Sequence, residues 1–184
     1  MKNNFIFVDK VSDEICNKLL TFFHSNKETF GIRGVTDKGY SEGKKSLDIC
    51  IHPNNDNEPF LQYKLELQKC LHKYNKLYPE THFMDKYEIC ENYNIQHYEP
   101  GEGFKNWHTE RSTFSSSKRA LVFMTYLTDT KNAGTEFKYQ KKITDCKKGS
   151  TVIWPTDWTH THRGIISKKQ EKTIVTGWWS FLAP

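Results

Sequence analysis

The stretch Trp-His-Thr-Glu at residues 107–110 and the stretch Thr-His-Thr-His-Arg-Gly at residues 159–164 organise this chain. Side chains two positions apart in a β-strand point to the same side, so His108 and Glu110 would face one side together. A histidine from the later stretch would complete two imidazoles and one carboxylate on one face of a metal ion. That arrangement leaves coordination positions open, so the two stretches together predict a metal site that accepts further ligands.

Two histidines of the later stretch compete for the distal position, because His160 and His162 are also two positions apart. We favour His162, since the glycine at position 164 lets the backbone approach a crowded site. His162 also precedes Lys172 by ten positions, which is enough for a turn and a returning strand. Lys172 would then lie beside the metal, where its ammonium group is free to pair with a carboxylate. Taken alone, Lys172 would be interpreted as a solvent-facing strand residue.

Two amphipathic helices precede a series of short strands. Ser12 is a candidate N-cap, and apolar residues at helical spacing predict a first helix over residues 12–26. A second helix begins near Pro59 and runs to about Tyr78. The predicted strands cover residues 5–8, 46–51, 93–98, 119–127, 134–139, 150–154, 161–166 and 173–181. Many short strands at roughly even spacing predict a sandwich or barrel, so the expected fold class is mostly β with supporting α.

The composition limits the classes of protein to which the chain can belong. Its 184 residues are enough for one domain with a substantial core. The net charge of +5 comes largely from scattered lysines, which indicates a solvated surface rather than a nucleic-acid-binding patch. The five cysteines lie far apart in sequence, which indicates reduced thiols. No stretch predicts a signal peptide or a transmembrane segment, so a cytoplasmic protein without a membrane partner is expected.

The chain from about residue 93 to residue 181 resembles the 2-oxoglutarate/Fe(II)-dependent dioxygenases, in particular their prolyl 4-hydroxylase-like branch. The order and spacing of several pieces carry this resemblance. They are Tyr-Glu-Pro-Gly at 98–101, the His-x-acid pair, Thr-Tyr-Leu at 125–127, Gly-Thr-Glu-Phe at 134–137, His162 with Gly164, Lys172, and Trp178. The N-terminal half shares only a general likeness, as the helical support before the barrel.

This resemblance implies a double-stranded β-helix, or jelly roll, preceded by two amphipathic helices. We expect a single domain over residues 1–184, with a helical support region at 1–86 and a jelly-roll core at 87–184. The implied metal ligands are His108, Glu110 and His162. Contacts to the co-substrate are implied for Tyr98, Tyr126, Lys172 and Thr176, with Lys172 on the distal carboxylate. The residues expected near the substrate are Arg111, Arg119 and Trp178.

Glu110 departs from the family pattern, in which aspartate is usual at this position. Glutamate is longer by one methylene group and can still bind iron. The departure therefore bears on the geometry of the iron site rather than on the presence of a metal. A carboxylate here favours hydroxylation over halogenation, because a glycine or an alanine would open a coordination position for a halide.

The implied cofactors are Fe(II), 2-oxoglutarate as co-substrate and O₂, with ascorbate as a further expectation. The implied reaction hydroxylates an unactivated C–H bond, most directly in a prolyl residue of a peptide or protein, and releases succinate and CO₂. Loops at residues 31–43 and 112–118 are expected to recognise the substrate. The alternatives are a hydroxylase of a free amino acid, a nucleic-acid dealkylase of the same fold, and a non-enzymatic jelly-roll module that binds metal. The sequence predicts no particular oligomeric state.

Overall fold

The computed structural model of the protein describes residues 3–36 and 39–182. Helix α1 covers Asp13–Phe30 and helix α2 covers Phe60–Leu77, and short 3-10 helices cover Pro79–Phe83 and Trp158–His160. The strands are β1 (Phe7–Lys10), β2 (Ile32–Arg33), β3 (Lys44–Lys45), β4 (Leu47–Ile51), β5 (Tyr87–Glu88), β6 (Tyr93–Tyr98), β7 (Gly103–Phe104), β8 (Arg119–Tyr126), β9 (Thr135–Phe137), β10 (Lys142–Ile143), β11 (Ser150–Pro155), β12 (His162–Gly164) and β13 (Lys172–Phe181).

Helix α1 begins where the sequence predicts. The hydroxyl oxygen of Ser12 accepts a hydrogen bond from the backbone N–H of Ile15 at 3.3 Å and so caps the first turn. Ile15, Leu19 and Phe23 are buried at helical spacing. The helix continues to Phe30, beyond the predicted end. The sequence does not predict this last turn, because the turn is largely exposed and carries no apolar period.

The main sheet has the strand order β1-β11-β8-β13-β6-β4-β2, and β5 pairs with the end of β13. Each of these neighbouring pairs is antiparallel. Strands β1, β2 and β4 from the first half of the chain thus extend both edges of the sheet. The division into a support region at 1–86 and a core at 87–184 stays a prediction.

The main sheet separates two hydrophobic clusters. On β8, Leu121 and Phe123 belong to the cluster that contains the buried residues of both helices. Val122, Met124 and Tyr126 belong to the other cluster, as the period of two in a strand requires. The helices therefore cover one face of the sheet, and the opposite face lines the interior of the β core.

Two small sheets, β10-β9-β12 and β3-β7, lie on the interior side. Phe137 of β9 belongs to the interior cluster, with its ring centroid 5.3 Å from that of Trp154 on β11. An isolated antiparallel bridge joins His108 to His162. The predicted fold class, mostly β with two helices and a jelly-roll core, is confirmed, and the core brings the two opening stretches side by side.

The structure differs from the sequence prediction mainly in short elements. Strands β2, β3, β5, β7 and β10 have two residues each, too few to show a period in the sequence. Strand β1 begins later than predicted, because Phe5 has a φ of 57° and interrupts the extended backbone. Among the described residues, no helix is both long and apolar enough to span a membrane.

Candidate metal centre and co-substrate pocket

A cavity of about 500 Å³ lies between the main sheet and the two small sheets. Interior side chains of β6, β8, β11 and β13 line it from the main sheet, and residues of β7, β9 and β12 line it from the small sheets. His108, Glu110 and His162 all line this cavity, and they are called the His-Glu-His cluster below. The stretches at residues 107–110 and 159–164 thus contribute side chains to the same cavity.

The His-Glu-His cluster converges on one point. Nε2 of His162 lies 3.2 Å from Oε1 of Glu110, and Nε2 of His108 lies 3.5 Å from the same oxygen. One such ligand atom from each residue lies within 4.8 Å of the others. His108 and Glu110 lie outside the named strands. They are held by the bridge to His162 and by the Glu110 N–H, which donates to the carbonyl of Thr156 at 3.1 Å.

Backbone carbonyls fix the tautomer of both imidazoles. Nδ1 of His108 lies 2.9 Å from the carbonyl oxygen of Asn106, and Nδ1 of His162 lies 2.8 Å from that of His160. Because a carbonyl oxygen only accepts, each Nδ1 carries a proton, and the neutral ring keeps a lone pair on Nε2. Two such lone pairs and a carboxylate oxygen face one another, an arrangement that a cation between them would stabilise. The donor set of two nitrogens and one oxygen fits Fe(II).

The protonation states of the cluster also suit a metal. Burial raises the pKa of the Glu110 carboxyl, but the hydrogen bonds and charges that His108 and His162 provide when protonated outweigh burial and hold that pKa well below its usual range. Burial and then the charge of His108 lower the pKa of His162. An ionised carboxylate and a neutral imidazole are the forms that bind metal ions.

His160, the competing distal histidine, is buried and points away from the cluster. Its Nε2 lies 3.0 Å from the carbonyl oxygen of Asn4, and its Nδ1 lies 2.9 Å from the hydroxyl of Thr159. Both ring nitrogens therefore have partners elsewhere. The geometry favours His162 for the distal position, and the ligand assignment as a whole stays a proposal.

Lys172 is a buried cation that has no carboxylate partner in the described part of the chain. Its Nζ donates to the carbonyl oxygens of Ala133 and Ile165, each at 3.1 Å, and lies 5.2 Å from the ring centre of Tyr98. Only 5% of the residue is exposed. Burial lowers the pKa of the ammonium group from 10.5 to about 8. An anionic ligand in the same cavity would offset the cost of burying this charge.

The two predicted tyrosines line the cavity, but their hydroxyl groups have protein partners. Nε2 of Gln96 donates to Asp48 at 3.1 Å, which turns Oε1 of Gln96 toward Tyr98, whose hydroxyl donates to it at 2.8 Å. The hydroxyl of Tyr126 lies 2.9 Å from that of Thr135. Burial raises the pKa of both phenols, so both stay protonated. Each predicted donation to the co-substrate would require the hydroxyl to exchange its present partner.

The other predicted contacts separate into two groups. Trp178 and Thr176 line the cavity, and the Thr176 hydroxyl donates to a backbone carbonyl at 3.2 Å. Arg111 and Arg119 do not line it. Nη2 of Arg111 lies 3.4 Å from Asp157, and the guanidinium carbon of Arg119 lies 3.5 Å from the ring centre of Trp178. These positions do not support direct substrate contact by either arginine.

Several residues that line the cavity have no role predicted from the sequence. Thr135 belongs to the Gly-Thr-Glu-Phe piece and lines the cavity. Lys44 lines it too, and its Nζ donates to Asp48 at 3.0 Å and to the carbonyl of Val35 at 2.9 Å. Alternation along the predicted strand at 46–51 indicates that Asp48 shares a face with Ser46, but nothing local predicts the pairing of Asp48 with Lys44.

Comparison with known proteins relates residues 93–180 to one family. Residues 93–180 match the family described as the 2OG-Fe(II) oxygenase superfamily. A comparison with curated protein sequences found no match.

Solved structures of similar fold include three prolyl hydroxylases. The viral collagen prolyl hydroxylase of Paramecium Bursaria Chlorella virus-1, in its 2OG complex, is 18% identical with a TM-score of 0.68, and 97% of each chain is covered. A prolyl-4-hydroxylase of Pseudomonas putida is 12% identical with a TM-score of 0.71, covering 97% of this chain and 94% of that one. A Trichoplax adhaerens prolyl hydroxylase, in complex with a hypoxia inducible factor peptide fragment, is 12% identical with a TM-score of 0.72, covering 97% and 84%. These likenesses show a shared fold.

The matched residues begin with β6 and end within β13, so they include the His-Glu-His cluster, Lys172 and most of the cavity walls. This match decides against a non-enzymatic jelly-roll module. Residues 93–180 match the 2OG-Fe(II) oxygenase superfamily, and the chain is an oxygenase that uses Fe(II), 2-oxoglutarate and O₂.

Proposed function

We propose that this oxygenase hydroxylates an unactivated C–H bond of a prolyl residue within a peptide or protein and releases succinate and CO₂. The three similar structures are prolyl hydroxylases, and one of them holds a peptide fragment. Their low identity to this chain supports the fold rather than the substrate. The substrate class is therefore inferred from the cavity of this chain.

The observation that carries the proposal is the presence of Lys172 and the His-Glu-His cluster in one cavity. The cluster supplies three ligand atoms on one side of a metal position. Lys172 supplies a buried positive charge that no described carboxylate neutralises. A small dicarboxylate that reaches from the metal to Lys172 would satisfy both, and 2-oxoglutarate has that chemistry.

Each group of residues has a distinct role in this proposal. Bound Fe(II) would supply the activation of O₂ that converts 2-oxoglutarate to succinate and CO₂ and places one oxygen atom in the substrate C–H bond. The His-Glu-His cluster would hold the ion and leave its remaining positions open. Lys172 would orient the co-substrate through its distal carboxylate. Met124, Trp154 and Ile174 line the cavity with apolar surface that excludes water.

The charges of the cavity favour a peptide over a free amino acid. Among the described residues, the charged side chains that line it are Lys44, Lys172 and the His-Glu-His cluster. Lys44 is already neutralised by Asp48, and each side chain of this pair is 5% exposed. With Lys172 assigned to the co-substrate, the described lining offers no counter-charge for a free ammonium or carboxylate group. An internal residue of a peptide carries neither of these charges.

Neutral polar groups do line the cavity, and they suit the amides of a peptide backbone. Asn94, Gln96 and Asn106 offer amide groups that both donate and accept hydrogen bonds. The two loops predicted to recognise the substrate also reach the cavity, through Val35, Thr36, Ser41 and Ser112. These positions support substrate recognition by residues 31–43 and 112–118.

The state of the cysteines supports the expected cellular location. Cys16, Cys50, Cys70, Cys90 and Cys146 are free thiols in the structure. Free thiols are typical of proteins in reducing compartments such as the cytoplasm. We therefore retain the cytoplasm as the proposed location.

A paired substrate assay tests this function. Fe(II)-loaded protein is incubated with 2-oxoglutarate and a proline-containing peptide blocked at both ends, with its alanine analogue and free proline as controls. We expect succinate release coupled to the gain of one oxygen atom by the proline peptide alone. Turnover of free proline without turnover of the blocked peptide would contradict the substrate class and leave the oxygenase intact. Absence of succinate with every substrate, and without one, would contradict the assigned roles of the cavity residues.

A further inference from the structure

We propose that Trp178 and Arg119 hold the second carboxylate oxygen of Glu110 away from the metal, so that Glu110 binds through Oε1 alone. Trp178 and Arg119 are called the carboxylate clamp below. This inference rests on the proposed ligand set, because it concerns how Glu110 would act within it. It assigns to Arg119 a positioning role that differs from the substrate contact expected from the sequence.

The two carboxylate oxygens of Glu110 have separate partners. Oε1 faces Nε2 of His162 at 3.2 Å and Nε2 of His108 at 3.5 Å. Oε2 accepts a hydrogen bond from the indole N–H of Trp178 at 3.0 Å. Oε1 is thus directed to the metal position. Oε2 accepts a hydrogen bond from an indole N–H, which is a donor only and cannot itself bind a metal ion.

Arg119 holds Trp178 and the backbone of Glu110 at once. Its guanidinium carbon lies 3.5 Å from the ring centre of Trp178, the distance of a stacked cation–π contact. Its Nη1 donates to the carbonyl oxygen of Glu110 at 2.9 Å. Arg119 is in turn held by Glu91, which accepts from its Nε at 3.0 Å and also accepts from the hydroxyl of Ser180.

The length of glutamate explains why such a clamp matters in this chain. The side chain of Glu110 has one more rotatable bond than the aspartate usual at this position, so its carboxylate has more freedom to turn both oxygens toward a metal. A metal ion held by three protein ligands and 2-oxoglutarate would need one further position for O₂. A second oxygen from Glu110 would occupy that position. By holding Oε2, the clamp keeps the position open.

Manganese binding provides a test that does not depend on activity. Mn(II) serves as the probe, because its EPR signal in isotopically labelled water reports the number of water molecules bound to the ion. In the complex with 2-oxoglutarate, we expect one bound water in the wild-type protein. Trp178→Phe keeps a ring against Arg119 and removes the N–H, so we expect that water to be lost. Outer-shell partners of metal ligands typically affect affinity about 10- to 100-fold, so the Mn(II) dissociation constant is measured in parallel.

Trp179→Phe is the matched control, because Trp179 is the next residue in β13 and belongs to the cluster on the helix side. We expect it to keep the bound water. Arg119→Lys is the second variant if Trp178→Phe does not fold, because lysine keeps the charge opposite Glu91 and loses the planar stack. It too is expected to lose the water. In a Glu110→Asp background, Trp178→Phe should have no further effect, because the carboxylate is drawn back by about 1.5 Å, one carbon–carbon bond.

Two outcomes separate failure of the clamp from failure of the ligand set. A bound water that persists in folded Trp178→Phe, or in Arg119→Lys if that variant replaces it, overturns the clamp. Loss of the bound water in Trp179→Phe would also overturn the clamp, because the effect would then not be specific to Oε2. Wild-type Mn(II) affinity in Glu110→Ala instead overturns the proposed ligand set.

Discussion

Lys172→Met removes a buried charge while it keeps most of the side-chain volume. Burial lowers the pKa of Lys172 from 10.5 to about 8, which corresponds to roughly 3.4 kcal/mol of destabilisation while the lysine is charged. The variant also removes the hydrogen bonds to Ala133 and Ile165, at about 1 kcal/mol each. We therefore expect Lys172→Met to be more stable than the wild type by about 1–2 kcal/mol at pH 7 without ligand.

The difference in unfolding free energy between Lys172→Met and the wild type should change with pH in one direction. Because the pKa of Lys172 is lower in the folded chain than in the unfolded chain, its penalty is complete below about pH 8 and disappears as the pH rises toward 10.5. Between pH 7 and pH 9, the wild type should gain about 1.3 kcal/mol of unfolding free energy relative to Lys172→Met. The stability advantage of the variant should therefore shrink as the pH rises.

Urea denaturation at the two pH values measures this difference, with Lys169→Met as the control because Lys169 is exposed. The same variants are then titrated with 2-oxoglutarate in the presence of Mn(II). Loss of the charge-assisted pair should weaken 2-oxoglutarate binding roughly 10- to 100-fold in Lys172→Met alone. Equal pH dependence in the wild type and Lys172→Met would refute the uncompensated buried ammonium. Unchanged 2-oxoglutarate affinity would refute its role in the pocket.

Three further predictions follow from contacts in the core. His162→Ala should weaken Mn(II) binding by more than about 100-fold. His160→Ala should keep the Mn(II) affinity within about twofold of the wild type and lower only the unfolding free energy. Equal losses of Mn(II) affinity in the two variants, measured by equilibrium dialysis, would contradict the choice of His162 as ligand. Gly177→Ala should destabilise the fold by about 1–3 kcal/mol in urea denaturation, because an added Cβ would lie 2.5 Å from the ring of Phe123. Asp48→Asn should cost roughly 3–5 kcal/mol in the same assay, because its buried lysine partner loses its counter-charge; a loss below about 1 kcal/mol would contradict the buried pair.

The parts of the site that local spacing determines could be predicted from the sequence. His108 and Glu110 share a direction because they stand two positions apart, and His162 follows at a distance that suits a later strand. Long strands such as β6 and β8 were predicted closely, because they show a clear period or a continuous apolar run. Lys172 could be placed beside the cavity because β13 returns directly after β12.

The parts that depend on contacts between distant segments could not be predicted. No local pattern indicates that Trp178 donates to Glu110 or that Arg119 stacks behind Trp178, because these contacts join separate strands and a loop. Lys44 and Asp48 are only four positions apart, but they lie on separate strands, β3 and β4, so no strand period indicates their pairing. Arg119 is expected near the substrate from the sequence, but it is not among the described residues that line the cavity.

The most direct test of the central claim follows the oxygen atoms. Fe(II)-loaded protein is given 2-oxoglutarate, a blocked proline-containing peptide, and O₂ labelled with heavy oxygen, and both products are analysed by mass spectrometry. We expect one labelled oxygen atom in succinate and one in the hydroxylated peptide, with neither product formed by His162→Ala. Hydroxylated peptide that carries oxygen from water, or succinate formed equally by His162→Ala, would contradict the account.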